Sequence, residues 1–153
     1  MKVYLLQTVR IIFFLFSSGC GGTINADVPG VITSPNYPNF YSHSSRCIWV
    51  LRATPGRKVT MTITNFDVEQ QASCDYDYLE VRQGATSNSS LVGRYCGSSL
   101  PPAITSFGNE LYVMFVSDIS TAMHGFRAQY TTATASKCAL NSEMPPTDHL
   151  SKN

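Results

Sequence analysis

Apolar and polar side chains alternate along several short segments of this chain. Residues 59–64 alternate strictly, so the apolar members occupy every second position, which is the period of a β-strand with one face in a core. Residues 110–116 form a continuous apolar run, which is typical of a strand buried on both faces. Further strand-like segments are 47–51, 78–82 and 126–131. No segment carries a helical repeat of adequate length, so the pattern predicts β-structure.

Turn-forming residues separate these segments, among them Pro55-Gly56, Pro101-Pro102 and Gly108-Asn109. Residues 23–46 are rich in Pro, Gly, Asn and Ser, so we expect them to be extended and turn-forming. Short strands at this spacing predict an all-β sandwich. The length of 153 residues suits one domain with tails.

The first 19 residues have the features of a secretory signal peptide. Lys2 and Arg10 supply positive charge, and residues 11–16 supply an apolar core. Small residues at 17–19 precede a predicted cleavage site after Gly19. A membrane anchor is the alternative, but this apolar run is far shorter than the roughly 20 residues that span a bilayer. We therefore expect a secreted protein without a membrane span.

Charge and motifs exclude several function classes. The formal charge of the whole chain is +1, and it becomes −1 when Lys2 and Arg10 leave with the signal peptide. This balance argues against nucleic-acid binding, which requires a strong positive field. The chain contains no GxSxG or HExxH motif and no glycine-rich phosphate loop, so we do not expect an enzyme.

In an oxidising compartment the cysteines are expected to form disulfides. Zinc is disfavoured because the chain has no CxxC pair and its three histidines are scattered. Pairing of nearest neighbours leaves Cys138 alone, and the sequence by itself does not fix the connectivity. The cysteines are Cys20, Cys47, Cys74, Cys96 and Cys138.

Residues 66–80 hold five of the ten carboxylates of the chain, together with one cysteine, and contain no Lys or Arg. Uncompensated carboxylates repel one another, and a hard cation bound through oxygen would offset that repulsion. A solvated acidic loop is the alternative. The segment is therefore a candidate site for a hard cation.

The chain from residue 20 to residue 132 resembles a CUB domain, an extracellular module. Seven motifs carry the resemblance in order: 20–22 (CGG), 30–41 (GVITSPNYPNFY), 47–49 (CIW), 74–81 (CDYDYLEV), 93–97 (GRYCG), 111–118 (LYVMFVSD) and 125–130 (GFRAQY). The resemblance implies a jelly-roll-like sandwich of two antiparallel sheets. It also implies the disulfides Cys20–Cys47 and Cys74–Cys96. Residues 133–153, which include Cys138, are polar and are expected to form a disordered tail.

The calcium-binding subset of that family uses a Glu, an Asp eight residues later and an Asp at the end of a later strand. Glu69, Asp77 and Asp118 match these positions, Ser120 follows in the same loop, and Tyr41 matches a tyrosine that orients the site. The resemblance therefore implies a Ca²⁺ ion held by these residues. The remaining ligands would be loop carbonyls near Ser120 and water, with a Kd of about 10⁻⁴–10⁻³ M.

In that subset the same carboxylates often receive a Lys or Arg from a protein partner, so we expect a protein-docking end here. Two alternatives remain open. One is a carbohydrate- or glycosaminoglycan-binding protein of the spermadhesin type. The other is a non-catalytic part of a multidomain CUB protease or endocytic receptor. For Cys138, pairing with another chain and a place as the first cysteine of a neighbouring module both remain open.

Other residues have simpler interpretations. Asn88-Ser89-Ser90 is a glycosylation sequon in a hydrophilic stretch. Asp75 is expected to be a surface charge, and Glu80 is expected to face solvent because it alternates with apolar neighbours. His124 is interpreted as a loop residue. Core or edge packing is expected for Tyr37, Trp49, Phe66, Phe115 and Phe126.

Overall fold

The computed structural model describes residues 20–134, which form nine β-strands and no α-helix. The strands are β1 (Gly22–Asn25), β2 (Gly30–Thr33), β3 (Arg46–Arg52), β4 (Arg57–Asp67), β5 (Tyr78–Gln83), β6 (Ser90–Tyr95), β7 (Ile104–Thr105), β8 (Glu110–Val116) and β9 (Gly125–Thr134). No helix among these residues has the length and apolarity needed to cross a bilayer. The predicted signal peptide and Cys138 lie outside the described residues.

The strands form two sheets that enclose one core. The five-stranded sheet has the order β1-β3-β8-β5-β6, and the four-stranded sheet has the order β2-β9-β4-β7. β1 and β3 pair in parallel, and every other pair of neighbouring strands is antiparallel. The prediction of an all-β sandwich is confirmed, and within residues 20–134 the parallel β1–β3 pair departs from purely antiparallel sheets.

Alternation along the strands supplies the core. Val59, Met61 and Ile63 of β4 are all buried, as their spacing predicts. Trp49 and Phe115 pack against Phe126, with ring centroids 5.9 Å and 5.7 Å apart. Trp49, Phe115 and Phe126 are buried, as predicted, and so is Phe66. Tyr37, between β2 and β3, is only half-buried.

β8 is buried on both faces, as its continuous apolar run predicts. Leu111, Val113 and Phe115 are fully buried in the core. On the opposite face, Tyr112 and Met114 are 4 % and 5 % exposed, and each is paired with residues of β3 and β5 on its two sides. β8 lies between β3 and β5, at the centre of the larger sheet.

The last strand extends further than the sequence indicates. Residues 131–136 have the composition of a linker, yet β9 continues to Thr134 because Ala133 and Thr134 pair with Lys58 and Arg57 of β4. The ordered strand therefore ends two residues beyond the predicted domain boundary at residue 132. Pairing with a long neighbouring strand decides this boundary, and residue composition does not record it.

Both disulfides that the resemblance implies are present. Cys20 bonds to Cys47 with a Cα–Cα distance of 5.3 Å. Cys74 bonds to Cys96 with a Cα–Cα distance of 5.5 Å, which ties the acidic segment to the residue that follows β6. The Cys74–Cys96 disulfide therefore restrains the segment that contains the candidate metal ligands.

Candidate metal centre

Strand pairing brings three acidic residues to one end of the sandwich. β5 and β8 are antiparallel neighbours in which Tyr78 pairs with Val116, so the residue before β5 lies beside the residues after β8. Asp77 and Asp118 occupy these positions. Glu69 comes from the other sheet, two residues after the end of β4.

The segment between Glu69 and Asp77 is fixed at both ends. Val68 and Gly97 exchange two backbone hydrogen bonds, of 2.9 Å and 2.8 Å. Cys74 is bonded to Cys96, the neighbour of Gly97. The acidic segment is therefore anchored twice to the chain that follows β6.

One carboxylate oxygen from each of Glu69, Asp77 and Asp118 lies within 4.8 Å of the others. None of the ion pairs among residues 20–134 includes any of the three. The cluster therefore concentrates three acidic groups without a basic side chain to neutralise them, which is unfavourable for carboxylates in close contact. The three residues that the sequence predicts as ligands therefore lie together, and their binding of an ion stays a prediction.

Asp77 is completely buried and both of its carboxylate oxygens accept hydrogen bonds. Oδ2 accepts from the Tyr41 hydroxyl at 2.5 Å, and Oδ1 accepts from the backbone N–H of Asp118 at 2.6 Å. These donors fix the orientation of the carboxylate and leave each oxygen a further lone pair for a cation. Asp77 is thus a rigid part of the cluster.

Tyr41 links two of the acidic residues, as the resemblance implies for a site-orienting tyrosine. Its hydroxyl donates to Asp77 and accepts from the backbone N–H of Glu69 at 3.2 Å. Burial raises the pKa of the Tyr41 phenol well above its usual value, and the hydrogen bond to Asp77 raises it further. The phenol therefore stays protonated and remains a donor.

Oε2 of Glu69 is buried and makes no hydrogen bond among the described residues. A buried carboxylate oxygen without a partner is costly, so such an atom in a folded protein requires a partner such as a water molecule or a cation. A cation among the three carboxylates would satisfy it. Because all the donors are oxygens, the site fits a hard divalent cation such as Ca²⁺ and does not resemble the nitrogen and sulfur sites of zinc.

Ser120 contacts the cluster through Asp118. The backbone N–H and the hydroxyl of Ser120 both donate to Oδ1 of Asp118, at 2.7 Å and 2.9 Å. These bonds orient the Asp118 carboxylate. The predicted contribution of Ser120 to the ion itself stays a prediction.

The other acidic residues of segment 66–80 have separate partners. Asp67 accepts a hydrogen bond from the backbone N–H of His124 at 3.3 Å, and the His124 ring contacts Phe40 and the carbonyl of Pro38 in a surface loop. Asp75 is mostly exposed and pairs with Arg94, as expected for a surface charge.

The prediction that Glu80 faces solvent is wrong. Glu80 does point away from the core, but it is only 2 % exposed because Arg82 and Arg94 cover it. Arg82 donates to Oε1 at 2.6 Å, and Arg94 donates to Oε2 at 3.0 Å and 3.2 Å. Burial opposes the ionisation of Glu80, yet the two arginines outweigh it and hold the pKa of Glu80 below its ordinary value.

Sequence reasoning did not identify this arginine arrangement. Glu80 and Arg94 are directly opposite in the β5–β6 pairing, so their contact depends on the register between the two strands. A Glu-x-Arg pattern at 80–82 was the only local signal, and it does not reveal the second arginine.

The two-sheet sandwich, the two disulfides and the acidic end define the class of protein: a disulfide-bonded β-sandwich module with a candidate cation site. The family model for the CUB domain matches residues 20–130. The chain therefore belongs to the CUB domain family, and the resemblance drawn from the sequence motifs is confirmed.

Similar proteins and solved structures agree with this family assignment. The chain is 40 % identical to mouse Tolloid-like protein 1 over 119 residues, which are 78 % of this chain and 12 % of that protein. It is 40 % identical to pig cubilin over 121 residues, which are 78 % of this chain and 3 % of cubilin. The chain thus spans a small part of these relatives. The crystal structure of the MASP-1 CUB2 domain bound to Ca²⁺ matches with a TM-score of 0.62 and 32 % identity, covering 74 % of this chain and 98 % of that domain.

Proposed function

We propose that this chain is a secreted, calcium-stabilised protein-interaction module. Glu69, Asp77 and Asp118 hold one Ca²⁺ ion and receive a Lys or Arg side chain of a protein partner. The observation that carries the proposal is the convergence of three carboxylates to within 4.8 Å, two from the β4–β5 loop and one from the β8–β9 loop, with one buried oxygen left unpaired. The Ca²⁺-bound MASP-1 CUB2 domain, a member of the same family, supports the choice of ion.

The chain's own residues prepare the site before an ion binds. Tyr41 and the Asp118 backbone hold the Asp77 carboxylate, and Ser120 holds that of Asp118. A bound Ca²⁺ supplies the positive charge that offsets the repulsion among the carboxylates. A free Ca²⁺ concentration ten times the Kd would stabilise the folded domain by about 1.4 kcal/mol.

Charge balance supports a basic partner. Three ionised carboxylates carry a formal charge of −3, and one Ca²⁺ leaves the site with −1. A Lys or Arg of a partner would complete the neutralisation, and it would approach most readily at low ionic strength because salt screens the attraction.

The carbohydrate and glycosaminoglycan alternative receives less support. Of the seven basic residues between 20 and 134, four are engaged in ion pairs with carboxylates: Arg52, Arg57, Arg82 and Arg94. Engaged arginines contribute little net positive field to a polyanion-binding surface. Binding without catalysis, whether as a separate protein or within a multidomain one, is therefore the function we propose.

Isothermal titration calorimetry tests the ion. Wild type should bind one Ca²⁺ with a Kd of about 10⁻⁴–10⁻³ M, and Asp118→Asn should bind at least about tenfold more weakly. Glu110→Gln is the matched control, since Glu110 lies at the opposite end of β8 and pairs with Arg52. Equal binding by wild type and Asp118→Asn, or none by either, would contradict the assignment.

Affinity capture tests the partner. Immobilised wild-type domain should retain a protein in Ca²⁺ that a chelator releases, and Asp118→Asn should not retain it. Chemical acetylation of lysines, or diketone modification of arginines, on the captured protein should abolish rebinding. Retention on heparin that survives physiological salt and ignores the chelator would favour the glycosaminoglycan alternative instead.

A further inference from the structure

Arg94 contacts the acidic segment on both sides of Asp77. Its guanidinium carbon lies 4.2 Å from the ring centroid of Tyr78, the residue after Asp77. Its Nη1 donates to Oδ1 of Asp75, two residues before Asp77, at 3.3 Å. One side chain therefore contacts residues on both sides of a buried carboxylate of the cluster, two positions before it and one position after it.

The guanidinium is itself held in place by Glu80. Two of its N–H groups donate to Oε2 of Glu80, a carboxylate that is 2 % exposed. An exposed ion pair such as Arg94–Asp75 normally contributes little, because ordering two long side chains costs entropy. Here the buried Glu80 and the ring of Tyr78 have already ordered Arg94, so its contact with Asp75 restrains the segment at a lower entropic cost.

Arg82 provides an internal comparison. It donates to the other oxygen of the same Glu80, at 2.6 Å, but its Nη1 then donates to the carbonyl of Ser89 at 3.0 Å. Ser89 lies in the turn between β5 and β6, at the opposite end of β5 from Asp77. The two arginines therefore share the carboxylate of Glu80. Of the two, Arg94 also contacts Asp75 and Tyr78, on either side of Asp77.

We propose that Arg94 is a positioning residue for the metal centre: by joining Glu80, Tyr78 and Asp75, it holds the chain around Asp77 in the geometry that a cation requires. This inference rests on the proposed calcium site. It predicts that the affinity of that site depends on a basic residue that does not contact the ion.

Two explanations predict opposite changes in Ca²⁺ affinity when Arg94 is replaced by an uncharged residue. Removing a positive charge near a cation site should, by electrostatics alone, strengthen Ca²⁺ binding. Loss of a group that positions the ligands should weaken it, typically by about 10-fold or more. The direction of the change in Kd therefore separates the two explanations.

The test compares Arg94→Gln, Arg94→Lys and Arg82→Gln by calcium titration. We expect Arg94→Gln to raise the Kd about 10-fold. Arg94→Lys should behave similarly, because a lysine keeps the charge but lacks the planar fork that makes all three contacts. Arg82→Gln should leave the Kd unchanged or slightly lower. Circular dichroism at the titration temperature confirms that each variant is folded.

A local readout distinguishes positioning from general destabilisation. The backbone N–H of Asp118 donates to Asp77, so its hydrogen exchange in Ca²⁺-free protein reports the placement of that carboxylate. Exchange at Asp118 should accelerate in Arg94→Gln and not in Arg82→Gln.

Three results would overturn the inference: unchanged or tighter binding by Arg94→Gln, equal weakening by the two glutamine variants, or unaltered exchange at Asp118. The wild-type titration separates these results from a failure of the proposed function: if wild type binds Ca²⁺, the proposed function stands. Absence of binding by wild type would defeat both.

Discussion

The hydroxyl of Tyr41 donates to Oδ2 of Asp77 at 2.5 Å, although 36 positions separate the two residues in the chain. The same hydroxyl accepts the backbone N–H of Glu69. A single buried oxygen therefore connects the loop after β2, the end of β4 and the start of β5. The shape of the acidic cluster depends on this atom as much as on the carboxylates.

Tyr41→Phe should destabilise the domain and weaken its ion binding. The substitution leaves Oδ2 of Asp77 and the N–H of Glu69 without their partner in a buried place, at a cost of about 1–3 kcal/mol. Thermal unfolding in chelator should show a lower Tm, and titration should show a higher Kd for Ca²⁺.

Tyr112→Phe is the matched control for this change. Tyr112 is also buried, but its hydroxyl meets only the sulfur of Met114 at 3.6 Å, a weak contact. We expect a smaller loss of stability and no change in Kd. If both phenylalanine variants bind Ca²⁺ as tightly as wild type, Tyr41 does not orient the site.

The two disulfides should affect stability alike and ion binding differently. They close loops of 27 and 22 residues, so the chain-entropy model assigns about 3–4 kcal/mol to each. Only Cys74–Cys96 lies within the acidic segment. The double variant Cys74→Ser/Cys96→Ser should therefore lose Ca²⁺ affinity, and Cys20→Ser/Cys47→Ser should retain it.

Chemical denaturation and calcium titration on the two double variants measure these effects. Both should unfold at lower denaturant concentration than wild type. Equal Kd values for the two variants would mean that the Val68–Gly97 bridge alone is enough to fix the acidic segment.

The alternation of apolar and polar residues predicts the strands whose own sequence carries a clear pattern. Strict alternation at 59–64 correctly places Val59, Met61 and Ile63 in the core. Four strands are not predicted as strands. β1 and β2 have four residues each, in or next to a segment expected only to be extended and turn-forming. β7 has only two residues, and β6 is an edge strand with a glycine at position 93 and little burial. Such strands are defined by their partners and carry weak patterns of their own.

The residues of the candidate site also fall into two groups, those that the sequence suggests and those that it does not. The sequence suggests Glu69, Asp77 and Asp118 because their spacing matches the pattern of the family that the chain resembles, and their binding of an ion stays a prediction. The burial of Glu80 could not be predicted, because it depends on the opposite residue, Arg94, 14 positions away, and on a register that shifts between Val81 and Arg82. Contacts made across strands require the pairing to be known first.

Asn88 should carry an N-linked glycan when the protein is produced in a glycosylating cell. The residue is exposed in the turn between β5 and β6, where the N–H of Ser89 donates to the carbonyl of Thr86 at 3.1 Å. Ser90→Ala destroys the sequon, whereas Ser89→Ala preserves it. Intact mass before and after treatment with a glycan-removing amidase should therefore change for wild type and Ser89→Ala only.

The buried Glu80 should make stability depend on pH below about 4.5. Arg82 and Arg94 hold its pKa in the folded state below the ordinary value of 4.5, in spite of the opposing effect of burial. A carboxylate of this kind stabilises the folded protein above its unfolded pKa, and that contribution disappears as the pH falls through the folded pKa.

Glu80→Gln should accordingly be less stable than wild type at pH 7, by about 1–3 kcal/mol for the loss of charged hydrogen bonds. The difference in free energy of unfolding should shrink as the pH falls from about 5 towards 3. Denaturation in chelator removes any contribution of the ion. Glu110→Gln, which breaks the half-exposed pair with Arg52, should show a smaller difference throughout. A difference between wild type and Glu80→Gln that stays constant over this range would mean that packing, and not the ionised carboxylate, is what Glu80 contributes.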